Sequence, residues 1–187
     1  MTQLEIALVE ITSFLDRSGL PYMLIGGLAV AMWGEPRATL DVDLSVWVDP
    51  AGLDDAVQAI CAHFRSLPDA LAFARRSRVL PVATADGVRA DIVFALLPLE
   101  REFIARARKK QVGGFEIRVA SVEDLIYMKL ISERSRDVED ARRLIRRFRD
   151  AIDRNYIEPK LREAAEALAR PDIAEVFLQD LAGDSGE

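Results

Sequence analysis

The sequence predicts an α/β domain: a small mixed β-sheet flanked by helices, followed by a helical C-terminal third. Three observations carry this. An amphipathic helical stripe opens the chain, apolar segments of strand length then alternate with helical segments, and after Val119 only helical patterns remain. Leu4, Leu8, Ile11 and Leu15 recur at helical spacing until Ser18-Gly19 and Pro21 stop the first helix. Tyr22 to Ile25 reads as a short buried strand, and Gly26-Gly27 turns it into a helix from Leu28 to Trp33, closed by Gly34 and Pro36. A strand through Asp41 ends at Asp49-Pro50, and a third helix follows over Leu53 to Phe64. Strands at Val79 to Thr84 and Val88 to Ala95 flank the hairpin-like turn Ala85-Asp86-Gly87, whose glycine can take a positive φ. A basic helix spans Leu99 to Arg108, and a strand Phe115 to Val119. Ser121 with Asp124 opens a helix from Val122 to Ser132 in the manner of a capping box. Val138, Ala141, Ile145, Phe148 and Ile152 mark a longer helix, and the tail from Ile157 adds one or two more, interrupted at Pro171.

At 187 residues, half of them hydrophobic, the chain can bury one core, and a single domain is expected. Its parts are an α/β core over residues 1–120, a helical part over 121–182 and a frayed end at 183–187. A net charge of −6 excludes a general nucleic-acid coat, so any RNA contact has to be local. One cysteine and one histidine exclude an intramolecular disulfide, a cysteine-cluster zinc site and a histidine-based metal site. The opening helix carries Glu5, Glu10, Asp16 and Arg17 and lacks the apolar run of a signal peptide, and no segment reaches membrane-spanning length. A cytoplasmic protein with no membrane partner is the expectation.

Chemistry concentrates in YMLIGGLAVAMWGEPRATLDVDLSVWV, residues 22–48. Alternation on a strand puts Asp41, Asp43, Ser45 and Trp47 on one face and Val42, Leu44, Val46 and Val48 on the core face. Two carboxylates roughly 7 Å apart along a strand repel unless a cation lies between them, and Mg²⁺ suits such oxygen donors. Asp91 in VRADIVFAL adds a third carboxylate on a second strand. Three carboxylates on one rim could hold two Mg²⁺ about 3.5 to 4 Å apart, the arrangement used in phosphoryl and nucleotidyl displacement. Gly26 and Gly27 at a helix start would let phosphates approach backbone amides. The plainer alternative is a glycine pair needed only for a tight turn and an Asp91 that merely faces solvent.

This layout resembles the nucleotidyltransferase superfamily related to DNA polymerase β, with its Gly-Gly or Gly-Ser, helix, Asp-x-Asp and later Asp on another strand. Within it, IGGLAVAMWGEPRATLDVDL and KLISERSRDVEDARRL are similar to the AbiEii-type toxins of type IV toxin-antitoxin systems. The resemblance spans about Leu20 to Leu144. It implies a nucleotidyltransferase fold and transfer of a nucleoside monophosphate from an NTP to an acceptor hydroxyl, with RNA or tRNA as acceptor and a cognate antitoxin as partner. It further implies that Asp41, Asp43 and Asp91 hold the metals, that Asp91 helps deprotonate the acceptor, and that Lys129 meets the triphosphate. Leu28 stands where many relatives carry Ser, which leaves the phosphate contact to backbone amides. Arg37 and Thr39 lie close enough in sequence to contact phosphate, although Arg37 serves a loop ion pair equally well. Asp137 and Asp140 either orient Lys129 or the substrate, or favour a helix start.

Between Arg134 and Arg154 eight arginines face five acidic residues, a local excess of three positive charges. Arg142, Arg146 and Arg149, together with Arg106 and Lys109 from the basic stretch Arg101 to Lys110, are therefore the RNA-binding candidates; the alternative is a solvated helix face laced by ion pairs. Two other functions compete with the toxin-like one. One is an aminoglycoside or lincosamide nucleotidyltransferase, and the other a non-catalytic nucleotide-binding or antitoxin-like partner.

Overall fold

The computed structural model describes residues 1–35 and 39–183. They form two compact units, one of residues 1–32 and 39–120 and one of residues 33–35 and 121–183.

The first unit is built on a seven-stranded mixed sheet in the order β3-β4-β5-β2-β1-β7-β6. Its elements in chain order are α1 (Gln3–Arg17), β1 (Tyr22–Ile25), α2 (Gly26–Met32), β2 (Val42–Trp47), α3 (Leu53–Cys61), β3 (Arg65–Ser66), α4 (Ala70–Ser77), β4 (Val79–Ala83), β5 (Arg89–Ala95), α5 (Pro98–Arg106), β6 (Arg108–Val112) and β7 (Phe115–Val119). Helix α1 begins at a full capping box. The Thr2 hydroxyl accepts from the Glu5 amide and the Glu5 carboxylate accepts from the Thr2 amide. Leu8, Ile11 and Leu15 are its buried stripe. β2 lies between an antiparallel β1 and a parallel β5, and alternation sends Val42, Leu44 and Val46 into the core with Ala90, Ile92 and Phe94 beside them, all at most 1 % exposed. The β4–β5 turn closes where expected: the Gly87 amide donates to the Thr84 carbonyl at 3.0 Å, with Gly87 at φ +83°.

Three elements of this unit depart from the sequence reading. The basic run after Ala107 is the edge strand β6, paired with β7 across Gly113-Gly114, both at positive φ, and the helix ends at Arg106. Lysines on an edge strand discourage pairing with another chain, which accounts for Arg108-Lys109-Lys110 without a ligand. The short strand β3 and helix α4 were not foreseen. Helix α4 buries only Ala70 and Ala74, so it has no large apolar stripe to betray it.

The second unit holds α6 (Val122–Ile131), α7 (Ser135–Phe148), α8 (Arg154–Ala167) and α9 (Asp172–Ala182), with α6 packed on α7 and α8, and α9 on α7 and α8. Ser121 caps α6 by accepting from the Asp124 amide at 3.1 Å. The Asp124 carboxylate, fully buried, instead accepts from the Tyr156 hydroxyl of α8 at 2.7 Å. Ala141, Leu144 and Ile145 of α7 are completely buried, and Phe148 meets Trp33 edge to face at 5.5 Å. Among the described residues no helix is long and apolar enough to cross a membrane.

Candidate active site

The chain leaves β1 at Ile25 and bends at Gly26, whose φ of +68° is a left-handed conformation that L side chains rarely adopt. A second constraint falls on the same residue. A Cβ on Gly26 would lie 1.9 Å from Asp43 Oδ2, so the Asp43 carboxylate occupies the space that a side chain would need. Asp43 reaches this position because it is the register partner of Ile25 on one side. On its other side, in the parallel ladder, its partner is Asp91. Paired residues point to the same face, so Asp43 and Asp91 stand side by side on neighbouring strands at roughly 4.8 Å. Asp91 is exposed and Asp43 half-buried.

Asp41 sits immediately before β2 and is differently engaged. Its two carboxylate oxygens accept from Arg89 Nε at 3.0 Å and Nη2 at 3.2 Å. Arg89 lies two residues before Asp91 on the same face of β5, which is what aims it at Asp41. The expected rim of three carboxylates is thus two in register and a third held by an arginine that sequence reasoning missed. The signal was present in the Arg-x-Asp alternation but needed the β2–β5 pairing to be read. Among the described residues no three acidic, histidine or cysteine side chains stand close enough to hold a metal as they are. Asp43 and Asp91 are oxygen donors of the kind Mg²⁺ accepts, and Asp41 could join them only by releasing Arg89. Thr39 donates its hydroxyl to the Asp41 carbonyl at 3.3 Å, a local turn contact. Gly27 is buried in the first turn of α2. Arg37 lies outside the described residues.

In the second unit the structure gathers Lys129, Asp137 and Asp140. Lys129, 7 % exposed, forms an ion pair with Asp137 and another with Asp140 at 3.4 Å. The Ser132 hydroxyl donates to the second Asp137 oxygen at 2.8 Å. Burial pushes the Asp137 carboxyl upward, but hydrogen bonds from Lys129 and Ser132 and the charges of Lys129 and Arg134 outweigh it and hold the group below its ordinary value. Asp137 sits in the first turn of α7 while the N-cap is Arg134, so its side chain serves Lys129 and does not cap the helix.

The basic candidates have partners of their own. Asp180 of α9, with its side chain 4 % exposed, accepts from Arg142 Nη1 and Arg146 Nε at 2.7 Å each, and its carbonyl accepts from Arg149 at 3.3 Å. Lys109 pairs with Glu116 across the β6–β7 hairpin at 2.8 Å, and Arg106 ends α5 half-buried. Nothing local points to Asp180, which lies 31 to 38 residues beyond its partners.

A mixed sheet with a Gly-Gly turn between its first strand and the helix that follows it, then Asp-x-Asp paired with a further aspartate, defines a nucleotidyltransferase. The chain belongs to the family described as nucleotidyl transferase of unknown function (DUF2204), whose pattern matches residues 5–177. Among solved structures it is similar to an antigenic nucleotidyltransferase-like protein from Paracoccidioides brasiliensis, with a TM-score of 0.54 and 16% identity over 94% of this chain and 92% of that one. The antibiotic-resistance factor ANT(2″)-Ia in complex with adenylyl-2″-tobramycin is similar with a TM-score of 0.52 and 16% identity, over 97% of this chain and 98% of that one. The lincosamide antibiotic adenylyltransferase LnuA, bound to lincomycin, gives a TM-score of 0.50 and 14% identity over 77% of this chain and 96% of that one. At such identities these likenesses concern the fold. No curated protein sequence matches the chain.

Proposed function

We propose that the protein transfers a nucleoside monophosphate from an NTP to an acceptor hydroxyl, releasing pyrophosphate. The observation that carries this is the pairing of Asp43 with Asp91 beside Gly26, where the absent side chain leaves the Asp43 carboxylate room to face the turn. The acceptor oxygen forms a bond to the α-phosphorus, the bond from that phosphorus to the pyrophosphate oxygen breaks, and Asp91 takes the hydroxyl proton. Asp43 and Asp91, with Asp41 once freed from Arg89, would hold Mg²⁺, two ions in the full arrangement. Such ions supply positive charge to the attacking and leaving oxygens. Gly26 and Gly27 are assigned to the phosphates on the motif resemblance. Lys129, oriented by Asp137 and Asp140, is assigned to the nucleotide on the motif resemblance, as are Arg37 and Thr39.

For the acceptor, a small hydroxyl-bearing molecule is favoured by the engagement of Arg142, Arg146 and Arg149 with Asp180, which leaves these arginines partly neutralised. It also accords with the tobramycin and lincomycin ligands of the similar structures. RNA, tRNA above all, with an AbiEii-like toxin role and a cognate antitoxin in the cytoplasm, is the second reading and rests on KLISERSRDVEDARRL. The test incubates the protein with each α-labelled NTP and Mg²⁺, with total tRNA or a panel of aminoglycosides and lincosamides. Label should pass to one acceptor class, with pyrophosphate release, and EDTA should stop it. Asp43→Asn and Asp91→Asn should each abolish transfer without lowering the metal-free melting temperature, because each removes a charge from a rim and not from the core. Melting temperatures that collapse in both variants, or transfer that survives in both, would remove these residues from the site.

A further inference from the structure

A cavity of about 570 Å³ opens in the first unit among the end of α1, the start of β1, the end of β2, α5 and the β6–β7 hairpin. It lies at the opposite end of β1 and β2 from Gly26 and Asp43, because Tyr22 begins β1 and Trp47 ends β2 in an antiparallel pair. Trp47 lies four residue steps along β2 from Asp43, roughly 13 Å of backbone, so this is a different place from the candidate active site.

Its lining combines apolar walls, Leu20, Pro21 and Ile104, with two guanidinium groups laid over aromatic rings. Arg101 lies 5.3 Å from the centre of the Trp47 ring, and Arg118 lies 5.5 Å from that of Tyr22. The charges are unequally compensated. Arg118 donates to Asp16 at 2.8 Å, and the Tyr22 hydroxyl donates to the other Asp16 oxygen at 3.4 Å. Lys109 is paired with Glu116. Arg101 has the Trp47 ring as its contact and, among the described residues, no carboxylate in ion-pair reach. An acidic chain thus presents a locally cationic hollow whose volume is that of small-ligand sites, about 300 to 1,000 Å³.

We infer that this cavity binds a small organic anion carrying a flat ring, with its charge set against Arg101 and its ring stacked on the guanidinium planes over Trp47 and Tyr22. Guanidinium is the cation suited to this, because it is planar, weakly hydrated and stacks on rings while its edge still donates to carboxylate or phosphate. Neither half of the ligand suffices alone. A bare inorganic anion gains no stacking, and an uncharged ring leaves Arg101 without a counter-charge.

The experiment measures binding to the full chain by calorimetry in EDTA. The probes are adenosine 5′-monophosphate and benzoate, and the controls are adenosine, benzamide and inorganic phosphate. At least one ring-bearing anion should bind about tenfold more tightly than its uncharged counterpart and than phosphate. Which one binds tells a phosphate ligand from a carboxylate one. Arg101→Gln, an exposed position, should weaken that binding about tenfold with the far-ultraviolet circular dichroism unchanged, and Asp43→Asn should leave it intact. Retention in Arg101→Gln with loss in Asp43→Asn would place the ligand at the carboxylate rim and overturn the inference. Equal binding of charged and uncharged probes, or no saturable binding at about 1 mM, would overturn it as well.

Discussion

Gly26→Ala separates the two demands made on that glycine. The left-handed backbone at φ +68° costs a residue with a Cβ about 1 to 2 kcal/mol. The new methyl would also lie 1.9 Å from Asp43 Oδ2, 2.6 Å from Cγ and 2.7 Å from Cβ, separations that force the whole Asp43 side chain to move. Driving a side chain out of its packed rotamer adds about 1 to 3 kcal/mol. The sum, about 2 to 5 kcal/mol, corresponds to a fall of roughly 5 to 15 °C in melting temperature for a chain of this size. Nucleotidyl transfer should fall to the level of Asp43→Asn, because the displaced carboxylate leaves its register with Asp91. A double-mutant cycle with Asp43→Ala isolates the steric part. The two closest contacts vanish in that background while the one to Cβ stays, so Gly26→Ala should cost about 1 kcal/mol less there than in the native chain. Equal costs in the two backgrounds would show that Asp43 does not rest on Gly26, and full activity in Gly26→Ala would take the turn out of the site.

The second unit yields further expectations. The Asp137 carboxyl is held below its unfolded value of 3.8, so the unfolded chain binds more protons there. Its stabilising contribution is complete above about pH 4 and lost as pH falls through the lower folded value, and Asp137→Asn should flatten that acid limb in urea titrations. Asp180→Asn removes the negative charge facing Arg142 and Arg146; with those arginines partly exposed, a loss of roughly 2 to 3 kcal/mol in denaturant unfolding is expected, below the full penalty for a broken buried pair. Tyr156→Phe takes a donor from the fully buried Asp124 and should cost about 1 to 3 kcal/mol by the same measurement, with α6 still capped by Ser121.

What was legible in the sequence follows how local the physics is. Strands β2 and β5 announced themselves because alternation is decided within six or seven residues, and Gly87 announced the turn because few residues tolerate its φ. Helix α1 carried its stripe, whereas its Thr2–Glu5 capping box was seen only in the structure. Strand β6 did not announce itself. Arg108-Lys109-Lys110 has no strand propensity of its own and is extended only because β7 offers it hydrogen bonds across the Gly113-Gly114 turn. The same division runs through the site. Gly26, Asp43 and Asp91 could be named from motif and period, whereas their juxtaposition depends on the parallel register of β2 with β5, which spans nearly fifty residues of chain. Arg89 as counter-ion to Asp41 depends on that same register.

Ion pairing inside each unit also bears on what the protein can take as acceptor. The chain carries 31 acidic and 25 basic side chains, and the cations that looked available to RNA in the sequence are committed within the fold. Arg142 and Arg146 face Asp180, and Lys109 faces Glu116. Binding a polyphosphate backbone through them would require exchanging intramolecular carboxylates for phosphates. That exchange recovers only the difference between the two pairings, while the net charge of −6 on the whole chain opposes a polyanion. A small acceptor asks for no such exchange, since it can be held by hydrogen bonds and apolar contact with a single reacting hydroxyl placed near Asp91. Ionic strength therefore distinguishes the acceptors physically: counterion release makes transfer to RNA fall steeply with salt, whereas transfer to a small neutral hydroxyl compound lacks that dependence.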